Sequence, residues 1–387
     1  MANTLKFGNG EWYGKKDTIL AYNDENSNYK PLPFDFSRAS KATVINKDGL
    51  IETVGSGQPR IDYKDDSKGA LLLEPSRTNL VTYSEDLTND WTRNGINNPT
   101  DVNSIAPDGA STVKRLQTNN SDGSISFSYN TGYSQVDGTT YTVSVYAKSN
   151  TNENQIFGLF GNGSGSSNNH SGNLIATSEW KRFTYTYTAG NTSTIGFCKG
   201  NDRLSFDILM WGFQVEIGSY ATSYIPTQGS TVTRLADVCN NGGNEQVIGQ
   251  TEGVFYVDLK KGFTPSAFEY ISLSDGTTSN TIRIFFNTSN QIGVVVGDSG
   301  ATQVNSTYSN IYSESENLKV AFKYKANDFS LWVNGQEVIT DNSGTVPSVN
   351  SLNFGRGDTT STWYEKTREI KLYNTALTDA ELIALTS

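Results

Sequence analysis

Period-two alternation of apolar and polar residues recurs along this chain, and no other feature limits its fold so strongly. In an extended chain successive side chains point to opposite faces, so each alternating run is built to bury one side of a sheet. The stretch "WKRFTYTYTAG" puts Phe183, Tyr185 and Tyr187 on one face and Thr184, Thr186 and Thr188 on the other. In "YTVSVYAKS", Tyr141, Val143, Val145 and Ala147 oppose Thr142 and Ser144. The run "ILMWGFQVEIG" is read the same way. Leu209, Trp211, Phe213, Val215 and Ile217 share one face; Ile208 and Met210, then Gly212, Gln214 and Glu216, share the other. After Gly218 the pattern stops, and an aromatic-spotted tail runs to Pro226.

With 20 Tyr, 18 Phe and abundant turn formers, the composition favours strands over helices. The expected fold class is therefore all-β: two antiparallel β-sandwiches of jelly-roll type in tandem, preceded by a small N-terminal docking arm. The 387 residues suffice for roughly two to three domains. Residues 1–75 carry little alternating strand and read as the arm. Within it, "ATVINKDGLIETV" signals a hairpin around Lys47-Asp48-Gly49. Residues 76–234 form the first sandwich, residues 235–244 a linker, and residues 245–387 the second sandwich. Asn334-Gly335 is the strongest hairpin signal, because both central residues of a type I′ turn need positive φ. Near the end, Thr378 and Glu381 have capping-box spacing, which predicts one short helix with Leu382 and Leu385 on one side.

Acidic residues outnumber basic ones by 40 to 30, giving a net charge of −10. That balance argues against nucleic acid as a main partner, since phosphate neutralisation needs a basic surface. No run is apolar enough to span a membrane, and the first residues lack the apolar segment of a secretion signal. Folding in a cytoplasm, without membrane insertion, is the expectation. Cys198 and Cys239 are expected to be buried, free thiols.

Two parts of the chain resemble known families. "VAFKYKANDFSLWVNGQEV" and "REIKLYNTALTDAELIAL" together resemble the closing hairpin, strand and helix of concanavalin-A-like or laminin-G-like jelly rolls. The first ~235 residues resemble bacteriophage virion proteins of tail or fibre-associated type. "FDFSRASKATVINKDGLIETVGSGQPRIDY", "GALLLEPSRTNLVTYSEDLTNDW" and "WGFQVEIGSYATSYIPTQGSTVTR" carry that resemblance. In such proteins the middle region looks like a carbohydrate-binding-module sandwich. In that setting Ile208 to Ile217 would be the closing core strand, and "GSYATSYIPT" its exit across the surface. The resemblance implies a virion structural protein of a tail or head appendage, made in the host cytoplasm. It would join other virion proteins through the arm, associate as a homo-oligomer and contribute to host-surface glycan binding. The alternative it leaves open is a purely architectural subunit; a glycan-degrading enzyme is a third.

The residues themselves point away from catalysis. His170, the single histidine, lies in the loop Gly161 to Asn173, read as an exposed surface loop without the rigid surroundings of a catalytic base. Zinc sites need several His or Cys ligands, which the chain does not supply. No strand carries the facing carboxylates of a glycosidase. Asp65-Asp66 and Glu314/Glu316 read as solvated charge, and Glu365 and Glu369 beside Arg368 as a surface ion pair. Loops rich in Asp and Asn can hold calcium, though no dedicated pattern fixes its ligands. Glycan binding asks for exposed aromatic rings beside hydrogen-bonding groups. The candidates are Trp332 with Asn334, and Trp363 and Tyr364 near Arg356 and Asp358. An outward Trp can equally pack under a covering loop or against a neighbouring subunit.

Overall fold

Strand pairing divides most of the chain into two sandwiches. The computed structural model describes residues 3–23, 28–118, 127–130, 134–161, 170–190 and 194–387. Its elements are short strands and one helix, Asp379–Thr386, as expected of an all-β chain. In the first sandwich one sheet runs Trp91–Asn94, Phe127–Asn130, Ile195–Cys198, Gln155–Gly161, Leu174–Ala176. The other runs Thr100–Val102, Val113–Gln117, Asp207–Ile217, Thr140–Ser149, Lys181–Thr188. Val143, Val145, Phe157, Phe183, Phe197 and Phe213 meet in the core between them.

The strand Asp207–Ile217 departs from strict alternation. Ile208 and Met210 face the core between the sheets, whereas Leu209 and Trp211 join a separate cluster on the outer face. Phe213 and Val215 then face inward. The reversal is a bulge: Tyr146 pairs with Trp211 but Ser144 with Gln214, so one extra residue is accommodated in this strand. Gly212 holds the bulge with φ +66, and a Cβ there would lie 3.2 Å from the Tyr224 ring. Gln214 and Glu216 therefore stand on the outer face with Trp211. Gln214 Oε1 accepts from Ile225 N–H at 2.6 Å, and Glu216 Oε2 from Thr222 N–H at 3.0 Å. The tail after Gly218 does not simply exit; these two side chains fold it back over its own sheet.

The second sandwich packs the sheet Ala301–Thr307, Ile292–Asp298, Thr281–Phe286, Glu269–Ser274, Ser351–Asn353 against a larger one. That larger sheet contains Lys366–Tyr373, Glu252–Lys260, Asn317–Lys325, Phe329–Val333 and Gln336–Asp341. It also contains the first strands of the chain. Leu5–Gly8 lies antiparallel to Lys366–Tyr373 with Leu5 opposite Leu372 and Phe7 opposite Ile370. Thr18–Asn23 and Asn28–Ser37 continue the sheet, and Val238–Asn240 closes it. Leu5, Phe7, Leu71 and Leu73 are buried in the core of this second sandwich. The arm thus supplies sheet and core to the far end of the chain. The reason is that Lys366–Tyr373 would otherwise be an unpaired edge. The hairpin Ala42–Ile45/Ile51–Val54 lies on the first sandwich, where Ile51 packs with Trp211 and Tyr224.

The segment read as a linker is likewise structured. Cys239 and Asp237 are fully buried, and Cys239 pairs with Phe36. Asp237 is half of the reason. Arg60 Nη2 lies 2.5 Å from Asp237 Oδ2, and its Nη1 lies 2.6 Å from Glu74 Oε2. Arg38 Nη1 reaches Asp237 Oδ1 at 2.9 Å, and Arg234 Nη1 reaches Glu74 at 3.1 Å. Glu74 also accepts from Ser223 N–H at 2.7 Å, which ties in the first sandwich. Burial alone would raise the Glu74 carboxyl; Arg234, Arg60 and Ser223 together hold it far below the carboxylate range.

Both cysteines are free and buried, the hairpin turn has φ 48 at Asn334 and 81 at Gly335, and the capping box at Thr378 is formed. His170 is half-buried, its Nδ1 accepting from Gly172 N–H at 3.0 Å, while residues 162–169 of its loop lie outside the described residues.

Replacing Arg60 strands two buried carboxylates with fewer cations, and breaking such a pair typically costs about 3–5 kcal/mol. Arg60→Met is expected to lose stability on that scale in urea unfolding. A loss below about 1 kcal/mol would show the cluster to be dispensable.

Candidate functional site

The six residues singled out from the sequence separate into two groups. Trp332 points outward from its sheet, but the C-terminal helix covers it. It packs with Val254, Tyr256, Tyr373, Leu377 and Leu382 and is only 5% exposed. Its Nε1 donates to Ser330 Oγ at 2.9 Å. Asn334 is spent on the turn: its Oδ1 accepts from Lys319 N–H at 2.9 Å and its Nδ2 donates to Asn317 O at 3.3 Å. Trp363 is fully buried, 5.3 Å from the Phe286 ring. Neither indole presents a face on which a sugar ring could stack. Of the adjacent pair, Trp363 lies in the core and Tyr364 packs half-buried against it, so the residue that reaches the surface is Tyr364.

Arg356 and Asp358 pair with each other beside Ser272 and Ser274, whereas Tyr364 lies at the Glu269 end of the same strand, so the strand Glu269–Ser274 separates them. Thr362 forms a parallel bridge with Tyr270, and Tyr270 N–H donates to Ser361 O at 3.0 Å. Arg356 Nη2 lies 2.8 Å from Asp358 Oδ2. Partial burial would raise the Asp358 carboxyl, but Arg356 and Thr360 hold it down at about 2. Beside this pair, Phe268 is 43% exposed and stacks at 6.1 Å on Tyr270, which carries the Arg283 guanidinium 5.7 Å from its ring centre.

Next to this ring pair opens a hollow of about 280 Å³ lined by Arg77, Tyr220, Phe263, Phe268, Glu269, Ser361, Thr362 and Tyr364. Residues from both sandwiches build it. Tyr220, from the folded-back tail, stacks on Phe263 of the second sandwich at 3.9 Å and 12°. Arg77 lies 5.3 Å from the Tyr220 ring. Glu269, 8% exposed, is the polar group in this wall, and its Oε2 accepts from Tyr364 N–H at 3.3 Å. Burial, then the neighbouring Glu365 charge, pushes the Glu269 carboxyl up to about 8. At neutral pH it therefore stands largely as a carboxylic acid, able to donate as well as accept.

Glu365 is not part of a surface pair. It is sealed in the core in an ion pair with Lys261, and its Oε2 accepts from Gly262 N–H at 2.6 Å. Lys261 in turn lies 4.8 Å from the Phe286 ring centre. Arg368 instead pairs with Asp258, its Nε 2.9 Å from Oδ1, and Glu369 pairs with Lys371 at 3.0 Å. Asp65 also departs from the solvated reading, being bridged to Lys260 at 3.0 Å and Lys366 at 2.9 Å. Among the described residues no group of three or more His, Cys, Asp or Glu could hold a metal ion.

Sequence reasoning missed Tyr220, Phe268 and Glu269. The signal for Phe268 was present in "SAFEY", where Phe268 and Tyr270 fall on the face away from Ile271. Nothing local in the sequence could have placed Tyr220 against Phe263.

No family model matches the chain, and no curated protein matches it. Among solved structures, it is similar to the CBM40 carbohydrate-binding module of the Ruminococcus gnavus IT-sialidase, solved bound to alpha2,3 sialyllactose. Identity is 16% over 37% of this chain and 85% of that one, with a TM-score of 0.33. The NanB sialidase of Streptococcus pneumoniae matches at 18% identity over 37% of this chain and 25% of its own, TM-score 0.32. Domain 4 of the arabinanase AbnA from Geobacillus stearothermophilus, in complex with arabinotriose, matches at 13% identity over 44% and 84%, TM-score 0.31. At such TM-scores the likeness carries no inference about this chain.

The Glu269 shift has a defined sign. A carboxyl raised in the folded state stabilises it below the ordinary glutamate range, and that contribution is lost as pH climbs from about 4.5 to about 8. Glu269→Gln is expected to flatten the fall in melting temperature across this window. An unchanged profile would place the titration elsewhere.

Proposed function

We propose that this chain is a bacteriophage virion appendage protein that binds host-surface glycans through the hollow around Tyr364 and Phe268. The observation that carries the glycan reading is the union of an exposed ring, Phe268, with half-buried Tyr220 and Tyr364 around polar groups. The apolar face of a pyranose covers such rings, while Glu269, Arg77 and the hydroxyls of Ser361 and Thr362 meet its hydroxyl groups. The volume suits a single sugar ring rather than a long chain. Virion membership rests on the sequence resemblance alone.

Binding without turnover is the reading the carboxylates favour. Hydrolysis of a glycosidic bond needs two carboxyls flanking it. Glu269 borders the hollow, but its neighbour Glu365 is fully buried and committed to Lys261. One ring contact contributes about 1 kcal/mol, so a single site binds weakly and several copies held together supply useful adhesion. Homo-oligomerisation and attachment to other virion proteins complete the proposal.

A purely architectural subunit is the second reading. What favours it is the arginine–carboxylate cluster, which joins the arm, the first sandwich and the second sandwich into one unit suited to bearing load.

Multivalent binding to host cells separates the two. Phe268→Ala and Tyr364→Ala are each expected to weaken it about fivefold per site, on the scale of one lost ring contact. Trp332→Phe is expected to leave it unchanged. If both site variants attach like the parent, the architectural reading stands.

A further inference from the structure

A second groove, on the first sandwich and remote in sequence from the hollow, has a different chemistry. Its volume is about 890 Å³, and it lies between the hairpin Ala42–Ile45/Ile51–Val54 and the outer face of the sheet that carries Tyr146. The rings along it are Tyr63, Tyr146 and Trp180; the charges are Lys64, Lys148, Lys181 and Arg182. No carboxylate lines it. In a chain with ten more acids than bases, four cations around one groove without an acid are a local reversal of sign.

The cations divide by role. Arg182 is structural: Nη1 donates to Thr222 O at 2.6 Å, Nη2 to Ser144 Oγ at 2.8 Å, and the guanidinium lies 5.5 Å from the Tyr146 ring centre. Lys64, Lys148 and Lys181 make no ion pair among the described residues. Asp62 and Asp65, whose charges reach Lys64, are themselves held by Lys366 at 2.7 and 2.9 Å. Burial, with the Lys366 charge adding to it, lowers the Lys64 pKa, and the Asp65 and Asp62 charges offset this only in part. Trp180 is fixed: its Nε1 donates to Ile105 O at 2.9 Å, and Lys148 Nζ stands 5.1 Å from the ring centre. A rigid, half-buried indole beside unpaired ammonium groups meets both halves of a charged sugar, its apolar face and its carboxylate.

We propose that this groove binds an acidic polysaccharide, a chain of uronic-acid-type rings, with one ring against Trp180 within reach of Lys148 and a neighbouring ring met by Lys64. The proposal stands apart from the neutral-sugar hollow and does not depend on it.

The test uses the full chain and immobilised polygalacturonate, alginate and hyaluronate, with pullulan as the neutral control. At least one polyuronide is expected to bind and pullulan not. Affinity is expected to fall at least about tenfold between roughly 50 and roughly 500 mM NaCl, as the Debye length shrinks. Lys148→Gln is expected to weaken binding about two- to fivefold, and Trp180→Ala more, with Trp180→Phe retaining part of it. Phe268→Ala is expected to have no effect here, which keeps failure of the hollow distinct from failure of the groove. Absence of binding to all three polyuronides overturns the proposal. So does equal binding of single-stranded DNA or dextran sulfate with Trp180→Ala indifferent, since that result describes bare charge without a sugar site.

Discussion

Five buried charges set the geometry of this molecule. Arg38, Arg60 and Arg234 surround the buried Glu74 and Asp237, and the five come from four separate stretches of chain, Arg234 and Asp237 sharing one. Removing ions from water is costly, and only close, hydrogen-bonded partners offset the loss. Partners from several segments meet these charges, with Ser223 donating to Glu74 and Arg38 donating to Gly55 O at 2.7 Å. Apolar contacts tolerate sliding; a planar guanidinium bridging two carboxylates does not. The positions of arm, first sandwich and second sandwich follow from that intolerance, and with them the meeting of Tyr220 with Phe263.

The sequence disclosed what is local. Alternating runs gave the strands, Asn334-Gly335 the hairpin, and Thr378 with Glu381 the helix start, because each depends on residues a few positions apart. It failed where one residue changes parity. Gly212 in its bulge moves Trp211 to the opposite face from Phe213, and no periodicity count reveals an extra residue absorbed in mid-strand. It failed also where distant segments meet. The buried Asp237 in a segment read as linker, and the strand Leu5–Gly8 paired with the chain's far end, are invisible until the sheet is assembled.

The candidate site shows the same division. Reading Trp332 as outward was sound, but the short helix predicted nearby is what covers it. Trp363 and Tyr364 read together as a loop's aromatic pair, yet Trp363 is sealed in the core. The acid of the hollow, Glu269, gains its character from burial and from Glu365, neither of which a linear sequence displays. Both proposed binding surfaces share a construction: rings held from one module and completed by another, so that each depends on the junction being rigid.

The pairing of Leu5–Gly8 with Lys366–Tyr373 also orders events in time. A ribosome makes Leu5–Gly8, and Thr18–Asn23 on one side of it, long before Lys366–Tyr373 exists, so the other edge of that first strand must remain open until nearly all later residues have been added. Contacts of such sequence separation form slowly. During the wait, the corresponding strand of another copy is an equally good partner for the vacant edge. Where many copies are synthesised close together, strand exchange between chains competes with closure within one. The same complementarity that finishes a single molecule is then a means of joining two.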